Sequence, residues 1–327
     1  MTIDFVREIL PILLSFAVVV ITLPFLIPLL RRLKFGQTER EDGPQSHLSK
    51  TGTPTMGGIA ILLGLLVPSL FYLRSCPEII PILIMTIGFG VIGFIDDMIK
   101  VVKKQSDGLS PLQKMALQFL LTGGFLVYYF LVEKKEAIVH IPFTDYAFTM
   151  PVWLFCIFVF FVVLGTVNGT NLTDGLDGLV SEVTVVVAVF FIIVTRNAAP
   201  GMEPMSGLMF GGLMGFLLFN SHPARVFMGD TGSLAIGGWL SSMCILLYDP
   251  LLIIIVGLIY LIEVISDILQ VGYFKLTHGK RIFKMAPIHH HFELCGMSEV
   301  QIGTAFTVIT VFMCLLGLLS HPAGLTF

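Results

Sequence analysis

The chain has 327 residues, of which 55% are hydrophobic and only 13% charged. Soluble domains carry about 25% charged residues, so with a mean hydropathy of +0.92 this chain reads as membrane-embedded. A net charge of −3 says nothing about nucleic acid, and no basic tract with interleaved aromatics appears. The five scattered cysteines form neither a CxxC pair nor a disulfide framework.

A helix needs roughly 20 apolar residues to cross the hydrocarbon core. Ten segments are candidate spans: about 9–30, 56–73, 79–95, 112–131, 151–167, 179–195, 205–219, 234–248, 251–272 and 302–319. The first is too long for the apolar region of a signal peptide, lacks a small-residue cleavage site and is followed by Arg31 and Arg32. It is therefore read as a spanning helix. The predicted fold class is all-α, a single polytopic transmembrane catalytic domain over residues 1–327. Loops 1–2, 3–4 (with Lys114 at its edge), 5–6, 7–8 and 9–10 hold 14 of the 19 Lys and Arg residues. By the positive-inside rule these loops face the cytoplasm and both termini lie outside it.

Four polar clusters fall in those same loops. The first, Asp96-Asp97, closes the third apolar segment. Carboxylates at a helix C-terminus face the negative end of the macrodipole, so tolerating them there implies a cation nearby. In the second, Asn171, Asp174 and Asp177 are spaced i, i+3, i+6, which in a continuing helix keeps neighbours on one side. Gly175 and Gly178 thin the backbone around them. A plain turn is the competing reading, since Asn, Asp, Thr and Gly are all turn formers.

The third, Phe227-Met-Gly-Asp230-Thr-Gly-Ser233, leads into the eighth segment. Backbone NH groups at a helix start bind anions, and Asp230 can hold a divalent cation against the same anion. The fourth is His289-His290-His291. Three consecutive imidazoles cannot all point one way, so gripping phosphate oxygens suits them better than a three-histidine metal site. Glu263 and Asp267 sit one turn apart inside the ninth segment, where ionisable groups are functional suspects; lining a groove, structural pairing and catalysis all stay open.

In order, Lys50-Thr-Gly-Thr-Pro-Thr-Met-Gly-Gly58, Phe94-Ile-Asp-Asp97, Asn171-Leu-Thr-Asp-Gly-Leu-Asp-Gly178, Phe227-Met-Gly-Asp-Thr-Gly-Ser233 and Pro287-Ile-His-His-His-Phe-Glu293 resemble the polyprenyl-phosphate N-acetylhexosamine-1-phosphate transferases. The Pro-Ile-His-His-His and Thr-Pro-Thr-Met-Gly-Gly motifs favour the muramoyl-pentapeptide branch. The resemblance implies a Mg2+-dependent transfer of phospho-N-acetylmuramoyl-pentapeptide from its UDP conjugate to undecaprenyl phosphate, giving lipid I and UMP. It also implies a homodimer in the bacterial cytoplasmic membrane, with the site facing the cytoplasm.

On that resemblance Asp96, Asp97, Asp230 and His289 are the expected catalytic residues, Asp230 being the metal ligand. Uridine is expected at Asn171, Asp174, Gly175, Leu176 and Asp177, with Phe227 stacking on the base. His290, His291, Lys50 and Lys114 are expected to supply positive or hydrogen-bonding groups to phosphate, and Asn220 to join the substrate-binding set. Two other classes remain open: an intramembrane aromatic prenyltransferase, which also uses Asp-rich motifs, and a secondary transporter, which would keep its acids near the bilayer midplane.

Overall fold

The computed structural model describes residues 4–33, 52–103 and 107–320. Lys50 lies outside these residues. The described chain is a bundle of helices: α1 (Leu10–Arg32, entered through a π-helical turn at Phe5–Ile9), α2 (Gly58–Ser69), α3 (Ile79–Lys103), α4 (Pro111–Leu131), α5 (Val152–Thr173), α6 (Leu179–Ala198), α7 (Glu203–Asn220), α8 (Gly229–Leu246), α9 (Ile253–Val256), α10 (Leu258–Leu276), α11 (Ile288–Leu294) and α12 (Glu299–Ser320). A small antiparallel hairpin, β1 (Ile138–His140) with β2 (Ala147–Thr149), joins α4 to α5. Its strands are too short and too weakly alternating to stand out from the sequence.

Each of the ten predicted segments overlaps a helix. Among the described residues six helices are long and apolar enough to cross a membrane, or seven if the bent pair at α9–α10 is one span. The remaining segments give shorter or glycine-rich helices, α2, α7 and α8. The ninth segment is broken: Gly257 separates α9 from α10, and the helix axis turns by 86° across it.

Helix α8 is the hub. Every residue from Thr231 to Leu246 is buried, as expected of a helix that is mostly apolar all round. It packs most extensively on α3 and next on α5. Glycine makes the α3–α8 approach possible, since a Cβ at Gly93 would run into the Asp230 carbonyl. Around this centre, α1 packs on α7 and α2, α6 on α7 and α12, and α10 on α5. The outer faces stay apolar and exposed, with Phe25 on α1 and Phe161 on α5 among the most exposed side chains. Exposed apolar faces of this extent suit a lipid solvent rather than water. The chain is a multi-pass membrane protein.

Candidate active site

The site lies at one end of the bundle, where the C-terminal part of α3 meets the start of α8. Asp230 is its centre. Its Oδ2 accepts from Lys114 Nζ at 2.6 Å and from Lys100 Nζ at 3.1 Å, while Oδ1 accepts from Asn171 Nδ2 at 3.0 Å. Asn171 also donates to Ser233 Oγ at 2.9 Å. Lys100 reaches Asp96 Oδ2 at 2.6 Å, and Asp96 Oδ1 accepts the Leu109 NH at 2.8 Å. With Asp97 Oδ1 3.9 Å from Lys100 Nζ, three carboxylates and two ammonium groups share one largely buried space.

The acids at 96 and 97 do not end their helix, because α3 runs on to Lys103. The expected penalty from the α3 dipole therefore does not arise. Asp97 instead sits at the opposite kind of helix end, the N-terminus of α8. Its Oδ2 accepts from the Thr231 NH at 2.9 Å and the Thr231 hydroxyl at 2.7 Å, and its Oδ1 from the Asp230 NH at 3.2 Å. Here a carboxylate satisfies orphan donors and meets the positive end of the dipole. The anion seated on this helix start is thus Asp97 itself, which corrects the expectation of a free phosphate cradle. Gly229, at φ +71°, makes the tight entry, and a Cβ there would crowd Asp97 Oδ2.

Carboxylate oxygens of Asp96, Asp97 and Asp230 lie within 4.8 Å of one another. Hard oxygen donors at this density suit Mg2+, which takes one or two protein carboxylates and completes its shell with water and phosphate. With Asp97 committed to α8, Asp230 and Asp96 are the residues that fit such an ion.

The Asn171–Asp177 run does not continue as one helix. Helix α5 ends at Thr173, Asp174 caps it, and Gly178 (φ +77°) turns the chain into α6. Its polar side chains therefore diverge. Asn171 faces Asp230, whereas Asp177 Oδ2 pairs with His222 Nδ1 at 3.1 Å and accepts the Ala224 NH at 2.9 Å. Glu299 joins this second cluster, accepting the Asp177 NH at 3.3 Å. Asp174 lies between the two groups. Burial, and then the negative charges of Asp230, Asp97 and Asp177, push its carboxyl well above the usual carboxylate range. Leu176 is buried.

The histidine triplet occupies the short helix α11 and splits three ways, as its spacing requires. His289 is buried; its Nδ1 pairs with Glu263 Oε2 at 3.0 Å, and Glu263 is fully buried. A Cβ on Gly175 would run into His289 Nε2, so the free edge of this ring meets the Asp174–Asp177 turn. His290 Nδ1 pairs with Glu293 Oε2 at 2.7 Å. His291 Nδ1 accepts the Lys284 NH at 3.1 Å, and its ring packs on Phe283. That turns His291 toward its own loop rather than the carboxylates. Gln270 holds the same loop, accepting from Ile282 and Phe283 NH groups and donating to the Phe283 carbonyl.

Phe227 is half-buried and its backbone pairs with the 54–58 segment: its NH donates to the Pro54 carbonyl, and its own carbonyl accepts from Gly57. The first and fourth motifs are thereby bound together. Asn220 is buried and donates to the Val226 carbonyl at 2.9 Å, which fixes the loop that carries Phe227. Among the described residues, no hydrogen bond or ion pair joins Glu263 to Asp267.

Lys100, His222 and Glu299 do not stand out in the sequence, and Glu263 does so only as a charge inside an apolar run. Lys100 carries a signal nonetheless, lying four residues after Asp96 on a helix. The other three reach their partners only through tertiary packing.

Buried acids compensated by two lysines, at the end of a membrane helix bundle, define a membrane-embedded site suited to a divalent cation and an anionic ligand. A glycosyl transferase family 4 model matches residues 79–248, and a phospho-N-acetylmuramoyl-pentapeptide-transferase signature matches residues 50–62. Curated phospho-N-acetylmuramoyl-pentapeptide-transferases match along nearly the whole chain. That of Acetivibrio thermocellus is 51% identical over 93% of this chain and 92% of its own. That of Caldicellulosiruptor bescii is 46% identical over 96% and 97%, and that of Clostridioides difficile 44% identical over 94% and 96%. The chain belongs to the phospho-N-acetylmuramoyl-pentapeptide transferase family.

Proposed function

We propose that this chain transfers phospho-N-acetylmuramoyl-pentapeptide from its UDP conjugate to undecaprenyl phosphate, releasing UMP and forming lipid I, at the cytoplasmic face of the bacterial cell membrane. The observation that carries this reading is the Asp230 centre, with Lys100 and Lys114 both bonded to the same carboxylate oxygen. Phosphoryl transfer needs charge neutralisation and alignment more than covalent chemistry. Two ammonium groups beside carboxylates meet that need.

Asp230 and Asp96 would hold Mg2+, and the ion, when bound, neutralises the charge developing on the diphosphate. Lys100 and Lys114 turn from their carboxylates toward phosphate oxygens as substrate enters. An acceptor phosphate oxygen then forms a bond to the β-phosphorus, the bond from that phosphorus to the UMP oxygen breaks, and UMP carries the electron pair away. The acceptor is a monoester with a second pKa near ~6, already largely a dianion at neutral pH. Asp96 therefore orients the acceptor rather than forming a phospho-enzyme, which favours direct displacement.

His289 is the one imidazole of the triplet whose free edge meets the Asp174–Asp177 turn, and Glu263 fixes its tautomer by accepting a hydrogen bond from the Nδ1 proton. That leaves Nε2, once it carries a proton as Nε2–H, as the donor offered to the sugar-phosphate. His290 and Lys50 are further phosphate partners, and the uridine is read by Asn171, the Asp174–Asp177 turn and the Phe227 ring. A homodimer is the assembly we favour from family resemblance.

Incubating purified protein with undecaprenyl phosphate and either the UDP-muramoyl-pentapeptide or UDP-N-acetylglucosamine tests the reading. UMP release is expected only with the first. Release only with the second would move the chain to a different branch, and release with neither would end the proposal. With a donor chiral at the β-phosphorus, inversion supports direct displacement, whereas retention would require a covalent intermediate.

A further inference from the structure

Helix α4 carries Lys114 to one oxygen of Asp230, and α5 carries Asn171 to the other. Both contacts form only if the two helices keep one spacing and one rotation. One turn along α4 from Lys114 lies Gln118, and three residues before Asn171 on α5 lies Asn168. Both amides sit within helices long and apolar enough to span a membrane, and Gln118 is 1% exposed. They meet reciprocally: Asn168 Nδ2 donates to Gln118 Oε1 at 3.0 Å, and Gln118 Nε2 to Asn168 Oδ1 at 3.5 Å. Among the described residues, these are the only side-chain hydrogen bonds that join α4 to α5. Elsewhere the two helices meet through rings, with Phe119 on Phe160 at 4.9 Å and Tyr129 on Phe155 at 5.7 Å.

Ring contacts tolerate sliding and rotation, whereas a paired amide has a direction. Leucine at 118 would satisfy burial without the cost of desolvating a polar group. What leucine lacks is a contact that fixes the helix about its axis. Asn168 is the fixed side of the pair, because its Nδ2 also donates to the Leu164 carbonyl of its own helix at 2.8 Å. Flipping that amide would set oxygen against oxygen. We propose that Gln118 is a positioning residue for the transfer: docked on Asn168, it holds α4 so that Lys114 meets Asp230 at rest and the phosphate during turnover. The inference rests on the reaction proposed above. Lys114 can then swing its ammonium between partners while the root of its stem stays in place.

The test is Gln118→Met, which removes both bonds at nearly constant shape. Thr122→Val, one turn further along the same buried stripe, is the control and should behave as the parent. Gln118→Met should stay monodisperse in detergent and retain bound Mn2+, while kcat for UMP release falls about tenfold, as for other orienting partners. KM for the nucleotide sugar and for undecaprenyl phosphate should hold within about twofold. Coupling is the readout that a merely structural role would not move. In a Lys114→Met background the positioning residue has nothing left to position, so adding Gln118→Met should cost at most about twofold. Asn168→Leu should reproduce the loss, and the Gln118→Met/Asn168→Leu double variant should lose no more than either alone. Parental kcat in Gln118→Met, or about tenfold further loss on top of Lys114→Met, would overturn the assignment. Should Gln118→Met not fold, Gln118→Asn, whose arm is one methylene shorter, carries the same comparison. A parent that releases no UMP overturns the functional reading and the role that rests on it. An active parent with an equally active Gln118→Met overturns only the second.

Discussion

Two carboxylate clusters sit at the same end of this molecule, and both bring three metal-capable groups within 4.8 Å. They differ in what balances them. Asp97 is held by backbone NH groups and Asp96 by one, but Asp96 and Asp230 are also balanced by two lysine ammoniums on flexible stems, which a phosphate can draw away. Asp177 is balanced by a histidine and by the Ala224 backbone NH, and Glu299 holds the Asp177 NH in turn. Backbone donors cannot be redirected without moving the chain. The comparison separates a centre built to exchange partners from one built to hold a loop in shape: the first suits catalysis, the second recognition.

The largest expected effect comes from Asp230→Asn, which removes the charge at the point where both lysines converge. Turnover should fall by at least ~10²–10³-fold, the range for losing one key electrostatic group, while the protein remains monodisperse in detergent. UMP release per folded enzyme measures it, and near-normal activity at saturating Mg2+ would break the contrast. Lys114→Met should follow at about 10²-fold in kcat, accompanied by a smaller change in nucleotide KM.

Glu263→Gln sharpens the picture at the histidine. It keeps shape but no longer fixes the His289 tautomer, so kcat should drop on the order of tenfold, as for other orienting partners. The pH profile should move with it, while bound Mn2+ is retained. An unchanged pH profile would make Glu263 merely structural.

Asp177→Ala probes the second cluster. Losing its charged hydrogen bonds costs about 1.5–3 kcal/mol, expected as a rise of at least tenfold in the nucleotide-sugar KM with little change for the lipid. The reverse pattern would exchange the roles of the clusters. The smallest effect concerns Asp174. Its raised pKa keeps the acid protonated at lower pH, where its OH can donate to the base, and that donor is lost as pH rises through the folded-state pKa. Nucleotide KM should therefore climb with pH in the parent and stay flat in Asp174→Asn.

Counting apolar segments and loop charges predicts that the four polar clusters share one side, and the structure brings them together at one end of the bundle. That works because spanning helices return to the same side at every second crossing. What the sequence hides is pairing across helices. Asp97 looks like a liability at the end of α3, because the apolar run stops there while the helix does not. Its partner, the start of α8, lies 133 residues away. The Asn171–Asp177 spacing looks helical, but Gly178 adopts a left-handed conformation just past a helix that has already ended, and Asn171 and Asp177 part company. Glu263 shows no partner along the chain because His289 reaches it only once α11 packs against α10.

The measurement closest to the central claim is Mn2+ binding, followed by electron paramagnetic resonance, in Asp230→Asn and Asp177→Asn side by side with the parent. If the lysine-balanced centre holds the metal and the phosphates, Asp230→Asn abolishes the bound-Mn2+ signal and Asp177→Asn retains it at parental affinity. Loss of the signal in Asp177→Asn with full retention in Asp230→Asn would contradict the account.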